Sequence, residues 1–394
     1  MIDQRKEASM KVGRWMVLIV LTLLAVSTYG WAADPFVIGL NTTLSGGAAT
    51  YGLHYKMAAE MAVEEINAAG GIKGAKIELV IDDNKASPTE AVSIAKKTLP
   101  RAHATIVGIT GSCFLAALPV ATEFKVPMVA AALGTVAVTE QNSPLVFRVS
   151  ANDRKQGWLI TDYLMNQMKK KKIGIIHDSN DYGVGGMTAI KAYLKARNLD
   201  PVAVETFNMG ELNFTPYVLR LKNAGADAVI GWGLQKELSL VVKKVAESGR
   251  PFQIALGSAV DTEVYSELVG PDGNNVPYSI FFFMDLKDPK VAAYYKKFQE
   301  KYKLAPDLYS TLTYDSIYII AEAFKKGGYD KEKIRLALKD TNYKGVGGQL
   351  KFDEKGDSIR DIYILKWVYD AKTKKSHREK LYAYSDEDLR KTMK

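Results

Sequence analysis

The 394-residue chain has a single cysteine, Cys113, and only four histidines, His54, His103, His177 and His377. A lone thiol cannot close an intramolecular disulfide, so packing must hold the fold even in a compartment that permits cross-links. The histidines sit on unrelated segments with no HxxxH or Cys-His spacing, and no metal or cofactor is expected. Catalytic motifs are also missing. Ser112, in Gly108-Ile109-Thr110-Gly111-Ser112-Cys113, lacks the glycine two residues on that a nucleophile elbow needs. Gly183-Val184-Gly185-Gly186 falls short of a dinucleotide fingerprint, and there is no P-loop pattern. Asp82-Asp83 end a predicted strand and read as solvated turn carboxylates rather than as an acid and base pair. The chain is not expected to be an enzyme, since a hydrolase would need a triad that is not there.

Long apolar runs are equally scarce. The one clear run, residues 15–26, follows Arg5, Lys6, Lys11 and Arg14. It is shorter than the roughly 20 residues that span a bilayer. Gly30 and Ala32 after it supply small residues at the minus three and minus one positions of a cleavage site. Residues 1–32 are thus predicted to be a secretory signal peptide cut near Ala32, and no cysteine follows for lipid attachment. A soluble periplasmic protein results. The formal net charge of +9 falls to about +7 without the leader, and the lysine runs 169–172 and 372–375 carry no interleaved aromatics. Both runs read as solvated surface, so no nucleic-acid partner is expected.

What the chain does contain is a repeated alternation of β-branched runs with amphipathic helical patterns. Predicted strands 36–40, 76–81, 105–108 and 126–130 alternate with helices 55–68, 88–99 and 114–124, and Ser87 and Pro88 open the second helix as cap and first residue. A second series follows Ala151, with strands 172–177, 202–207, 228–231 and 253–256 between helices 156–168, 183–196, 216–223 and 236–248. The tail adds an apolar segment 281–284, helices 289–302, 311–326 and 331–338, and a late hairpin pairing 349–352 with 361–369. The expected class is α/β, two Rossmann-like lobes with parallel central sheets joined by a three-crossing hinge. Residues 33–150 plus 284–348 make the first lobe, and 151–283 plus 349–394 the second.

In open parallel sheets ligands bind outside the carboxyl ends of the strands. Gly111-Ser112-Cys113 opens a helix there, and its amides and hydroxyl can hold a carboxylate, although an N-cap serine is the simpler reading. Gly134-Thr135 adds a second hydroxyl and a close backbone approach. Tyr182 and Trp232 would face these loops across a cleft, with core packing as the alternative for each.

Over nearly the whole mature length the chain resembles the type I periplasmic binding proteins of branched-chain amino acid ABC transporters. The matches are Asn67-Ala68-Ala69-Gly70-Gly71-Ile72-Lys73-Gly74, Asp82-Asp83, and His177-Asp178 with Asp181-Tyr182-Gly183. Asn213-Phe214-Thr215 leading to Leu219 and Lys222, Thr313-Tyr314-Asp315, and Phe352-Asp353-Glu354-Lys355-Gly356-Asp357 complete them. The resemblance implies a carboxylate clamp at Ser112, Ala132, Gly134 and Thr135, aromatic walls at Tyr51 and Tyr182, and further contacts from Leu234 and Tyr309. It also implies a monomer that closes on a small carboxylate ligand and docks on a membrane permease. One departure matters. Amino-acid binders of the family place a glutamate for the ligand ammonium shortly after strand 253–256, where this chain has Gly257-Ser258-Ala259. Either Asp261 substitutes and the ligand is an α-amino acid, or the ligand is an aromatic or aliphatic acid without an amine. A ligand-sensing module acting with a separate receptor is the alternative to transport.

Overall fold

The computed structural model describes residues 33–392, so the predicted leader lies outside the described residues. Five strands form the first sheet: β1 (Phe36–Thr42), β2 (Ile77–Asp83), β3 (Ala104–Val107), β4 (Met128–Ala130) and β5 (Val146–Arg148). Their order is β2-β1-β3-β4-β5 and every pairing is parallel. All seven residues of β1 are buried, as a strand covered by helices on both faces requires.

The second sheet has seven strands: β6 (Ile173–Asp178), β7 (Ala203–Phe207), β8 (Ala228–Trp232), β9 (Gln253–Leu256), β10 (Pro277–Ile280), β14 (Ile362–Asp370) and β15 (Lys375–Tyr384). The order is β15-β14-β10-β9-β8-β6-β7. β6 to β10 run parallel, and β14 and β15 are added antiparallel at one side. Between them in sequence lies a small third sheet of β11 (Asn342–Gly345), β12 (Gly348–Phe352) and β13 (Ser358–Ile359). The chain thus forms two α/β lobes joined by three crossings. It leaves the first sheet after β5, returns after β10 through residues 281–288, and leaves again between β13 and β14.

Helices begin where the sequence supplies caps. The Ser87 hydroxyl accepts from the Glu90 amide before Pro88–Thr98, Asp288 caps Pro289–Tyr302, and Asp307 with Ser310 forms a capping box on Leu308–Gly327. This last helix packs along Ala49–Ala68 of the first lobe, where the Tyr314 hydroxyl donates to Glu65 and Tyr51 lies 4.7 Å from Tyr309.

The expected hairpin of 349–352 with 361–369 does not form. β12 pairs with β11 and β13, whereas β14 pairs with β10 and β15. Asp357 explains why. Its Oδ1 accepts from Arg148 Nε at 2.8 Å, its Oδ2 from Asn152 Nδ2 at 2.6 Å, and the adjoining Ser358 hydroxyl donates to the Ser150 carbonyl. These bonds tie residues 357–358 to the end of β5, so strand membership changes after Ile359 rather than at 348.

Candidate functional site

A cavity of about 310 Å³ lies where the carboxyl ends of the two sheets face each other. From the first lobe it is lined by the loops after β1, β2, β3 and β4, and at the crossing after β5 by Asp153 and Gln156. From the second it is lined by those after β6, β7, β8, β9 and β10.

The loop after β3 carries Ile109 at φ 78°, a left-handed conformation that a β-branched residue rarely adopts. It turns the chain so that helix Gly111–Phe124 starts at the cavity, with Thr110 and Ser112 in its wall. The helix begins three residues before the predicted start. Thr110 makes no side-chain cap, so the first-turn amides have no partner from that hydroxyl and the positive helix end faces the cavity. Glycine is required at 111, because a Cβ there would come within 2.4 Å of the Thr135 hydroxyl. The loops after β3 and β4 therefore meet at the Gly111–Thr135 contact.

A buried arginine holds the second loop in place. Arg148 Nη1 donates to the Thr135 carbonyl at 2.6 Å and reaches the Gly134 carbonyl at 3.4 Å, Nη2 donates to the Thr139 hydroxyl, and Nε is paired with Asp357. Drawing those carbonyls away from the cavity sets the orientation of the Gly134-Thr135 turn. Ala132 is fixed by its amide, which donates to the Tyr55 hydroxyl at 2.8 Å.

On the opposite wall Asn180 caps helix Asp181–Lys195 by accepting from the Tyr182 and Gly183 amides. The Tyr182 ring tilts against Trp232 at 5.7 Å, and its hydroxyl accepts from the Ala259 amide at 3.3 Å. Tyr51 spans the cleft, its hydroxyl oxygen accepting from the Gln235 amide at 3.1 Å.

One lining residue stands apart electrostatically. Asp153 is fully buried, and neither carboxylate oxygen has a hydrogen-bond partner among the described residues. Its amide donates to the Gly134 carbonyl at 2.7 Å, and a Cβ on Gly134 would fall 2.0 Å from its Oδ1. Burial pushes its pKa up to about 7, opposed by the Arg148 charge.

A family model for periplasmic binding proteins matches residues 35–374. The chain belongs to the periplasmic binding protein family. Among its relatives is the Leu/Ile/Val-binding protein homolog 1 of Brucella suis, 28% identical over 88% of this chain and 94% of the relative. Among solved structures is the branched-chain amino acid transporter substrate-binding protein LivJ of Streptococcus pneumoniae, in complex with isoleucine. It is 27% identical, with a TM-score of 0.79 over 88% of this chain and 99% of LivJ. A Rhodopseudomonas palustris solute-binding protein in complex with 4-hydroxybenzoate shares the fold, with a TM-score of 0.81 at 21% identity over 90% of this chain and 98% of its own. All three are named as binding proteins, the two of solved structure as components of transporters.

Eight of the residues named from sequence line this periplasmic-binding-protein cleft: Tyr51, Ser112, Ala132, Gly134, Thr135, Tyr182, Leu234 and Tyr309. Three do not. Cys113 is buried one position past Ser112, away from the cavity. Trp232 is fully buried behind Tyr182, its ring filling the space that Gly186 and Gly257 leave. Asp261 cannot reach in, because it is buried in an ion pair with Arg378 Nε at 2.6 Å and accepts the Tyr278 hydroxyl at 2.7 Å. Sequence reasoning missed Asp153, Gln156, Asn180 and Ser258 as lining residues, and Arg148 as the group that holds the Gly134-Thr135 turn. Arg148 is a charged residue at the end of an apolar strand, and Asp153 a carboxylate directly after a lobe crossing. Either position could have been singled out on those grounds.

Proposed function

We propose that the cleft captures a small carboxylate-bearing solute, an α-amino acid in the first instance, by closure of the two lobes, and delivers it to a membrane permease. The observation that carries this reading is Asp153: an unpaired, buried carboxylate in the same cavity as a helix amino terminus. An isolated buried charge costs several kcal/mol, and an ammonium group beside it removes that cost. The amides and hydroxyls of Thr110, Ser112 and Thr135 would hold the ligand carboxylate, while Tyr51, Tyr182, Leu234 and Tyr309 would cover its apolar part. Asp153 thus takes the role that the amino-acid alternative gave to Asp261. A carboxylic acid without an amine is the second reading, favoured by Ala259, which offers the site only a backbone amide already given to Tyr182. Asp153 would then be protonated and donate.

The lobes that close are residues 33–150 with the returning segment up to β13, and residues 151–283 with β14 onward. Residues 1–32 act as the leader, cut near Ala32, and amino-terminal sequencing of the exported chain tests that point. For the ligand, calorimetric titration compares L-leucine with 4-methylpentanoate, which differs only by the amine. The amino-acid reading predicts leucine to be favoured by about 100-fold or more, given ~3–5 kcal/mol for breaking a buried charge pair. Equal affinities would overturn it.

A further inference from the structure

A second cavity, of about 270 Å³, lies at the hinge, bounded by residues 281–283 on one crossing and by residues 347–363 around another. Phe281 lines both this groove and the cleft. Arg360 lines the groove and is 4% exposed. Its Nη1 donates to the Gly347 carbonyl at 3.0 Å, while Nε and Nη2 have no partner among the described residues. Asp315, whose charge is felt there, accepts instead from the Val346 and Gly347 amides at 2.9 and 2.8 Å, and makes no ion pair with Arg360 among the described residues. Burial lowers the Arg360 guanidinium to about 10 against the opposing Asp315 charge, and a buried cation whose donors lack a hydrogen-bonded carboxylate is only partly compensated.

We infer that the hinge groove is a second binding site, for a small organic monocarboxylate that pairs with Arg360 and lays its apolar body against Phe282, Phe283 and Tyr363. The two unpartnered donors, Nε and Nη2, form one edge of the guanidinium, the edge that meets a carboxylate through two parallel hydrogen bonds. The aromatic residues supply the apolar wall, and Lys380 lies 5.0 Å over the Phe283 ring. Asp361 and Asp386 also line the groove, and they disfavour a multiply charged anion such as phosphate. Phe281 gives the two sites a shared wall, so any effect of one occupant on the other is reciprocal.

The test titrates benzoate into the full chain and into Arg360→Gln and Arg360→Lys by calorimetry, with circular dichroism as the check on folding. The expected result is a benzoate site that weakens about tenfold or more in Arg360→Gln and less in Arg360→Lys, which keeps the charge but not the fork. A natively folded Arg360→Gln with the wild-type isotherm overturns the inference. Should that variant not fold, anomalous scattering from 4-bromobenzoate in wild-type crystals decides. A bromine peak beside Phe282 and Phe283 supports the site, whereas a peak confined to the cleft near Ser112, or none, overturns it. Binding of inorganic phosphate without benzoate overturns the carboxylate assignment. Should the cleft itself take benzoate, its isotherm persists in Arg360→Gln and the expected loss is confined to the second, hinge-dependent phase, so failure of the hinge site is distinguishable from failure of the cleft reading.

Discussion

Lowering the pH in the presence of an amino-acid ligand perturbs a cleft group poised to respond, the Asp153 carboxyl. In the empty protein burial holds it at about 7, well above its unfolded value of 3.8. An ammonium ligand binds the ionised form, so binding pulls the pKa down, and affinity is complete above pH 7 and lost as the pH falls. At about pH 5.5 only ~3% of the empty sites are ionised, so the affinity for leucine should be about 30-fold weaker than at about pH 8, or ~2 kcal/mol. An acid without an amine gives the opposite sign, because its carboxylate meets a second negative charge once Asp153 ionises. Calorimetry across this range reads the slope directly. Asp178 is also raised to about 7 by burial, so Asp153→Asn is the control and should flatten the profile. A flat profile in the wild type, or an unchanged slope in Asp153→Asn, would refute the assignment of Asp153 as the ammonium partner.

Other substitutions separate support from contact. Asp261→Ala should cost about 3–5 kcal/mol in urea unfolding by stranding Arg378, with solute affinity unchanged. Asp357→Asn should be destabilising by a similar ~3–5 kcal/mol and should also weaken the solute, since Arg148 then loses its hold on the Gly134-Thr135 turn; unfolding and calorimetry together read both effects. Tyr51→Phe removes the bond from the Gln235 amide across the cleft, and stopped-flow measurements should show faster solute release, by about fivefold for ~1 kcal/mol.

Much of the architecture could be read from periodicity, because alternating buried strands and capped helices carry their signal locally. Helix Pro289–Tyr302 was predicted to the residue, and in the structure the Asp288 side chain caps it. The late tail was harder. β15 alternates half-buried and exposed positions with few β-branched residues, and β13 is only two residues long, so neither announces itself. What places them is long-range pairing: Asp357 with Arg148 across 209 positions, and Arg378 with Asp261 across 117. The same limit applies to the site. The loops that form the wall were legible from their glycines and hydroxyls after strands, but the aspartate that faces the cavity was not. Asp153 and Asp261 are equally plausible carboxylates in sequence, and only the direct ion pair of Asp261 with Arg378, which Asp153 lacks with Arg148, decides which is neutralised internally.

The central claim is that the cleft recognises a carboxylate. Thermal unfolding against amino acids and aromatic and aliphatic acids, each paired with its carboxamide, tests it most directly. At 100 times its dissociation constant a ligand stabilises by about 2.7 kcal/mol, enough to shift Tm by ~2 °C or more. The account predicts at least one acid that raises Tm while its carboxamide does not. Stabilisation by carboxamides equal to that by the acids, or by none of the acids, would contradict it.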